Sequence, residues 1–233
     1  MGSGRSADPT PGGRTASGSP LDAIPPGTTL LVSGPPLVGK YDLVLDVLNG
    51  GHAVGEAAVV VSTRGDERSV VDDYERIAPG FDRTKLGVVE CVSDRDADGT
   101  QRTTEGLRVR RAGSPADLTG IGIGVSELVR EFDSADAAGV RLGMDSLATS
   151  FVYTDFERVC RFLHVLSGRS VQARGIGLFV ADPSTLSEPQ YDQLKTLFDG
   201  LIELRENDDD DREYRVRGLP GVDRDWHRYD PSE

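Results

Sequence analysis

The densest chemical signal in the chain is the run Gly34-Pro35-Pro36-Leu37-Val38-Gly39-Lys40-Tyr41. Two glycines separated by four residues and followed by lysine have the spacing of a loop that cradles phosphate. Small residues let successive backbone N–H groups turn inward, while the lysine and the start of a helix add positive potential. The final residue departs from that pattern. A Ser or Thr there would offer an oxygen to Mg²⁺, whereas the Tyr41 phenol, carried on a rigid ring, reaches a different place. The loop therefore predicts phosphate binding beside a weakened metal site.

A second candidate lies about a hundred residues downstream. In "RLGMDSL" (Arg141 to Leu147), Asp145 ends an apolar run, where an acid can hold a water of a Mg²⁺ shell. Both candidates need strands to carry them, and the pattern supplies these. "TTLLVSG" reads as a buried strand feeding the loop and "KYDLVLDVLNGG" as the helix leaving it. "AAVVVST" and "KLGVVECV" are further strands, with "ERSVVDDYERIA" helical between them. "VRLGMDSL" and "IGLFVAD" are strands separated by a long helix that Thr154 or Asp155 can cap. "GLIELRE" and "REYRVRG" form an antiparallel pair across "NDDDD". Alternating strands and helices of this kind predict an α/β fold with a parallel sheet wrapped by helices. The stretch from Ser93 to Gly113 reads as a polar loop with one extra strand at "GLRVRRA". Gly120, Gly122 and Gly124 read as a flexible connection ahead of a helix capped by Thr119 or Ser126, its apolar face carrying Leu128, Val129 and Phe132.

Residues 1–22, rich in Gly, Ser, Pro and Thr, read as a disordered leader, residues 23–220 as one domain, and residues 221–233 as a tail holding the single tryptophan, Trp226, which either docks back on the domain or waits for a partner. The charge is −13, from 39 acidic and 26 basic residues, of which only Lys40, Lys85 and Lys195 are lysines. This composition resembles that of proteins from salt-loving archaea, with an ordinary acidic protein as the alternative. Such a chain repels phosphate backbones, so nucleic-acid binding is disfavoured, and "RVRRA" (Arg108 to Ala112) is the one dense basic run. Cys91 and Cys160 sit in apolar runs and read as buried thiols in a reducing compartment. His52, His164 and His227 stand alone, without metal-ligand spacing. No apolar run is long enough to span a bilayer and no signal peptide is evident, so a cytoplasmic location is expected, away from membranes.

With these elements in order, the chain resembles the RecA-like ATPases, and among them the single-domain KaiC-like proteins of archaea, from about Leu21 to Gly218. "LDAIPPGTTLLVSGPPLVGK" resembles the family's entry into its loop, "VRLGMDSLATS" its second acidic motif, and "FDGLIELRE" its late Asp-Gly strand. The resemblance implies a twisted, mainly parallel sheet with helices on both faces and a C-terminal antiparallel hairpin. It also implies ATP or a related nucleotide at Gly34 to Tyr41, often at a subunit border, which allows a homo-oligomer. Family members carry a water-orienting glutamate just beyond the second strand. Here Thr63, Arg64 and Gly65 occupy that place, and Glu67 is the nearest candidate, equally suited to open the following helix. Arg215 and Arg217 match the family's terminal basic pair loosely. The expectation is a nucleotide-binding regulatory or signalling module with a protein partner and little or no hydrolysis. An active ATPase using Glu67, and a pseudo-ATPase that only contacts a partner, are the alternatives.

Overall fold

A computed structural model describes residues 19–91, 102–104 and 106–230. Five of its strands are mostly apolar and fully buried or nearly so: β1 (Thr29–Ser33), β2 (Ala57–Ser62), β3 (Leu86–Glu90), β6 (Val140–Met144) and β7 (Gly177–Ala181). Burial on both faces is what a strand without polar alternation demands. Together with β4 (Arg102–Thr104), β5 (Leu107–Arg111), β8 (Gly200–Glu206), β9 (Arg212–Arg217) and β10 (His227–Arg228) they form one sheet. Its order is β10-β9-β8-β1-β7-β6-β2-β3-β5-β4. The run from β8 to β5 is parallel, while β9, β10 and β4 add antiparallel edges.

Strand periodicity divides the core in two. Leu30, Val32, Ala58 and Val60 face one side, under α1 (Lys40–Gly50) and α2 (Glu67–Ile77). Leu31, Val59, Val61 and Phe179 face the other, under α3 (Leu118–Ser134), α4 (Leu147–Tyr153), α5 (Phe156–Gln172) and α6 (Glu188–Lys195). The fold is thus the mixed α/β sheet with helices on both faces and a terminal hairpin that the pattern predicts. Neighbouring strands β1 and β7 feed helices on opposite faces, α1 and α6. In open α/β sheets a reversal of this kind, at the C-terminal ends of the strands, is the place where ligands bind.

Some local expectations change. α3 starts at Leu118, so Gly120, Gly122 and Gly124 lie inside a helix, capped by Asp117, whose carboxylate accepts from Gly120 N at 2.8 Å. Thr119 and Ser126 do not cap it, and Ser126 instead donates to the Gly122 carbonyl. The helix tolerates Gly124 because a Cβ there would press on Val89 and Arg110 at 3.2–3.3 Å: the glycine lets α3 lie close on the sheet. α4 is an additional helix between β6 and α5. The C-terminal segment docks back on the domain, the first of the two alternatives for it: β10 pairs with β9, Tyr229 is buried, and the Trp226 ring lies under Arg205 and Arg215 at 3.9 and 4.5 Å. At the other end, residues 1–18 of the expected leader lie outside the described residues, and Pro20 and Leu21 are already buried. Much of the expected polar loop also lies outside them.

Candidate functional site

The loop from Gly34 to Gly39 joins β1 to α1 at the reversal between β1 and β7. Its two glycines are required for different reasons. A Cβ on Gly34 would sit 2.6 Å from the Leu204 carbonyl on β8, so the first residue of the loop touches the next strand's backbone. Gly39 adopts φ 87°, ψ 22° immediately before α1, a left-handed conformation that glycine enters without steric cost. Leu37 also has a positive φ, 66°, and its side chain is 93 % exposed. A γ-branched residue held there stores strain, a feature that clusters at ligand-binding loops. Pro35, Pro36 and Val38 complete the loop, with Val38 buried beneath it.

Lys40 opens α1 and turns back into the loop, where its Nζ donates to the carbonyls of Gly34 at 2.6 Å and Pro35 at 2.5 Å. The residue is only 9 % exposed, and among the described residues it forms no ion pair. Burial lowers its pKa, Asp182 pulls it back up, and Arg64 lowers it further. A nearly buried ammonium held by carbonyls alone, with a second cation in its field, makes an anion-accepting centre. The residues from Gly34 to Lys40 therefore fit a phosphate group.

Asp145 follows β6 and is 3 % exposed. Its oxygens are already occupied. Thr63 N and Oγ1 donate to Oδ1 at 3.0 and 2.7 Å, and Arg64 N and Nε and Ser62 Oγ donate to Oδ2 at 3.2, 3.4 and 3.4 Å. Burial raises the Asp145 pKa against the opposing pull of these Thr63 and Arg64 contacts. The Arg64 guanidinium carries on past Asp145 to cover the Tyr41 ring, 5.2 Å from its centroid. Burial first, then Asp145, pushes the Tyr41 phenol well above its ordinary range, so it stays a neutral ring under the cation. Tyr41, Arg64 and Asp145 thus form one stack at the mouth of the loop. These residues do not fit Mg²⁺: the hydroxyl ligand is replaced by an aromatic face, and the acid that would hold the ion's water is filled by fixed donors and a guanidinium. Among the described residues, no cluster of three or more His, Cys, Asp or Glu side chains is arranged to hold a metal.

Glu67 lies elsewhere. It is the first residue of α2, with Arg111 at 3.7 Å, and a hydrogen bond from Glu90 holds its carboxyl below the usual range. The α2 cap is Asp66, which accepts from Ser69 N at 3.0 Å. The Glu67 carboxylate is thereby turned toward the ends of β3 and β5, not toward the loop. Arg215 and Arg217 both pair with Glu203, at 2.6 and 3.4 Å. The basic run is neutralised as well: Arg110 is buried and held by Glu127 and Glu131, and Arg111 lies against Glu67 and Glu90. The structure adds two residues that sequence reasoning passed over. Asp182, at the end of β7, acts on Lys40, and its position as the acid closing "IGLFVAD" repeats the signal that marked Asp145. Arg212 reaches over from β9 until its Nη1 would stand 3.0 Å from a Cβ on Gly39, an approach that nothing in the spacing announces.

The model of DUF7504, a family of unknown function, matches residues 27–204. The chain belongs to this family. The matched region spans the loop, the Tyr41–Arg64–Asp145 stack and Asp182, whereas Arg212 and the segment carrying Trp226 lie beyond it in this DUF7504 chain. No curated protein matches the sequence. Among the described residues, no helix is long and apolar enough to cross a membrane.

Proposed function

We propose that this protein binds the phosphate groups of a nucleotide, ATP by resemblance, at Gly34 to Lys40 without a divalent cation, and serves as a regulatory or signalling module with little or no hydrolysis. The observation that carries this reading is the Arg64 guanidinium lying between Asp145 and the Tyr41 ring, where hydrolysing loops keep a metal and its ligands. Lys40 supplies a charge for the terminal phosphates and the loop N–H groups surround them. Arg64 neutralises Asp145, which would otherwise repel them. Hydrolysis needs more than binding. It needs an acid that positions the attacking water, and Glu67 is committed to Arg111 and Glu90.

Calorimetric titration of ATP in EDTA and again in Mg²⁺ tests the reading directly. Equal affinities in the two buffers, loss of binding in Lys40→Ala, and no phosphate release above background are expected. Binding that requires Mg²⁺ and proceeds to turnover would favour an active ATPase, and no binding in either buffer would leave the fold as a scaffold for protein contacts.

A further inference from the structure

The second surface that stands out lies across the sheet from α1, where α3 and α5 run side by side. Between their outer faces is a groove of about 600 Å³. Its apolar part is formed by Ile123 and Val165, 55 % and 60 % exposed, together with Leu118, Phe162 and Leu166. Gly122 keeps the α3 wall low, since a Cβ there would meet nothing within 4 Å.

The rim is cationic in a chain of net charge −13. Arg130, Arg158, Arg161 and Arg169 all line the groove and all are exposed. The one carboxylate in its lining, Glu127, is already bound by Arg110 at 2.7 Å. Among the described residues, at least twelve arginines form ion pairs with carboxylates. Six form none: the four on this rim, Arg68 and Arg224. In a chain with excess acid, four of these six unpaired guanidinium groups lie together, around exposed Ile and Val. Guanidinium is the cation best suited to bidentate carboxylate recognition.

We infer that this groove is a docking site for an acidic amphipathic helix of a partner protein. The fit is one of charge and length. Arg158 and Arg169 are eleven positions apart on α5, about 16 Å along a helix axis, or three turns. A partner helix with an apolar stripe over Ile123, Phe162 and Val165 and carboxylates flanking it at both ends would satisfy floor and rim together. Nucleic acid fits less well, because the exposed floor residues Ile123 and Val165 are aliphatic and offer bases nothing to stack on. The net negative charge repels acidic chains everywhere but here, so the local field adds selectivity. This inference is independent of the nucleotide reading.

The test uses two synthetic amphipathic helices of about 18 residues with the same leucine stripe, one flanked by Glu and one by Gln. Binding is read by fluorescence anisotropy in about 0.1 M salt. The Glu helix should bind roughly tenfold or more tightly than the Gln helix. Gly122→Leu should abolish that binding by filling the groove while leaving the fold intact, since the added side chain enters open space and leucine favours a helix. The pair Arg158→Glu with Arg161→Glu should lose the Glu preference, with circular dichroism checking the fold. Equal affinity for the two helices, no binding of either, or Glu-helix binding that survives Gly122→Leu would overturn the inference. So would tighter binding of a single-stranded oligonucleotide, or a dimer in sedimentation that Gly122→Leu disperses, each naming a different occupant.

Discussion

Replacing Arg64 by methionine isolates the role assigned to its charge, because methionine keeps an unbranched stem and removes the guanidinium. Two contacts disappear: the 3.4 Å approach to Asp145 Oδ2 and the cover over Tyr41 at 5.2 Å. The Arg64 side chain is 53 % exposed, so its pair with Asp145 is screened and worth at most about 1 kcal/mol. The cation–π contact adds about 0.5–1 kcal/mol. The larger penalty for orphaning a buried charge, about 3–5 kcal/mol, is avoided because the main-chain N–H groups of residues 63 and 64 and the Thr63 hydroxyl still hold the carboxylate. A net loss of about 1–2 kcal/mol should lower Tm by about 3–6 °C in a chain of this length. Differential scanning calorimetry measures that shift. Titration of ATP measures the functional arm: binding should weaken in EDTA, and Mg²⁺ should now restore part of it, since Asp145 has lost its side-chain cation. An unchanged Tm together with affinity that is unaltered and still indifferent to Mg²⁺ would refute the assignment of Arg64 as the counter-charge of this site.

Two further outcomes follow from the same structure. Burial holds the Lys40 pKa below that of a free lysine, so its proton is lost earlier as pH rises. Nucleotide affinity should therefore decline at a lower pH than a freely titrating lysine would give, and Asp182→Asn, which removes the group holding that pKa up, should move the decline to still lower pH in titrations across the alkaline range. Gly175→Ala should cost more than about 3 kcal/mol or prevent soluble expression, because its Cβ would stand 1.8 Å from the Val140 carbonyl and only backbone movement relieves that clash; urea denaturation measures the loss.

The parts of this molecule that were legible from sequence are those where one physical demand dominates. "LLV" and "AAVVV" can only be strands buried on both faces, and the loop between Gly34 and Lys40 lies where a strand must hand over to a helix. What sequence misjudged is where tertiary packing overrides local preference. Three glycines in seven residues argue against a helix at roughly 1 kcal/mol each, yet α3 runs through them because Gly124 lets the helix approach Val89 and Asp117 caps its start. Asp145 was readable as a strand-end acid, but its partners were not, since Ser62, Thr63 and Arg64 are more than eighty positions away. Arg64 was visible only as a residue standing where an acid was expected. That it points back across Tyr41 is a fact of three-dimensional placement. The groove arginines carried no signal either, because what separates them from their paired counterparts is which acids lie nearby.

The contact between Gly34 and the Leu204 carbonyl has a mechanical consequence. The first residue of the loop lies so near β8 that even one added methyl group would collide with its backbone, so a movement of the loop toward β8 must carry the strand with it. The residue after Leu204 is Arg205, whose guanidinium lies 3.9 Å from the centre of the Trp226 ring. Loop and tryptophan are therefore joined by a strand segment only two residues long. Because the chain has a single tryptophan, its emission carries no background from elsewhere, and the protein contains its own optical gauge of whether the loop moves when a ligand arrives.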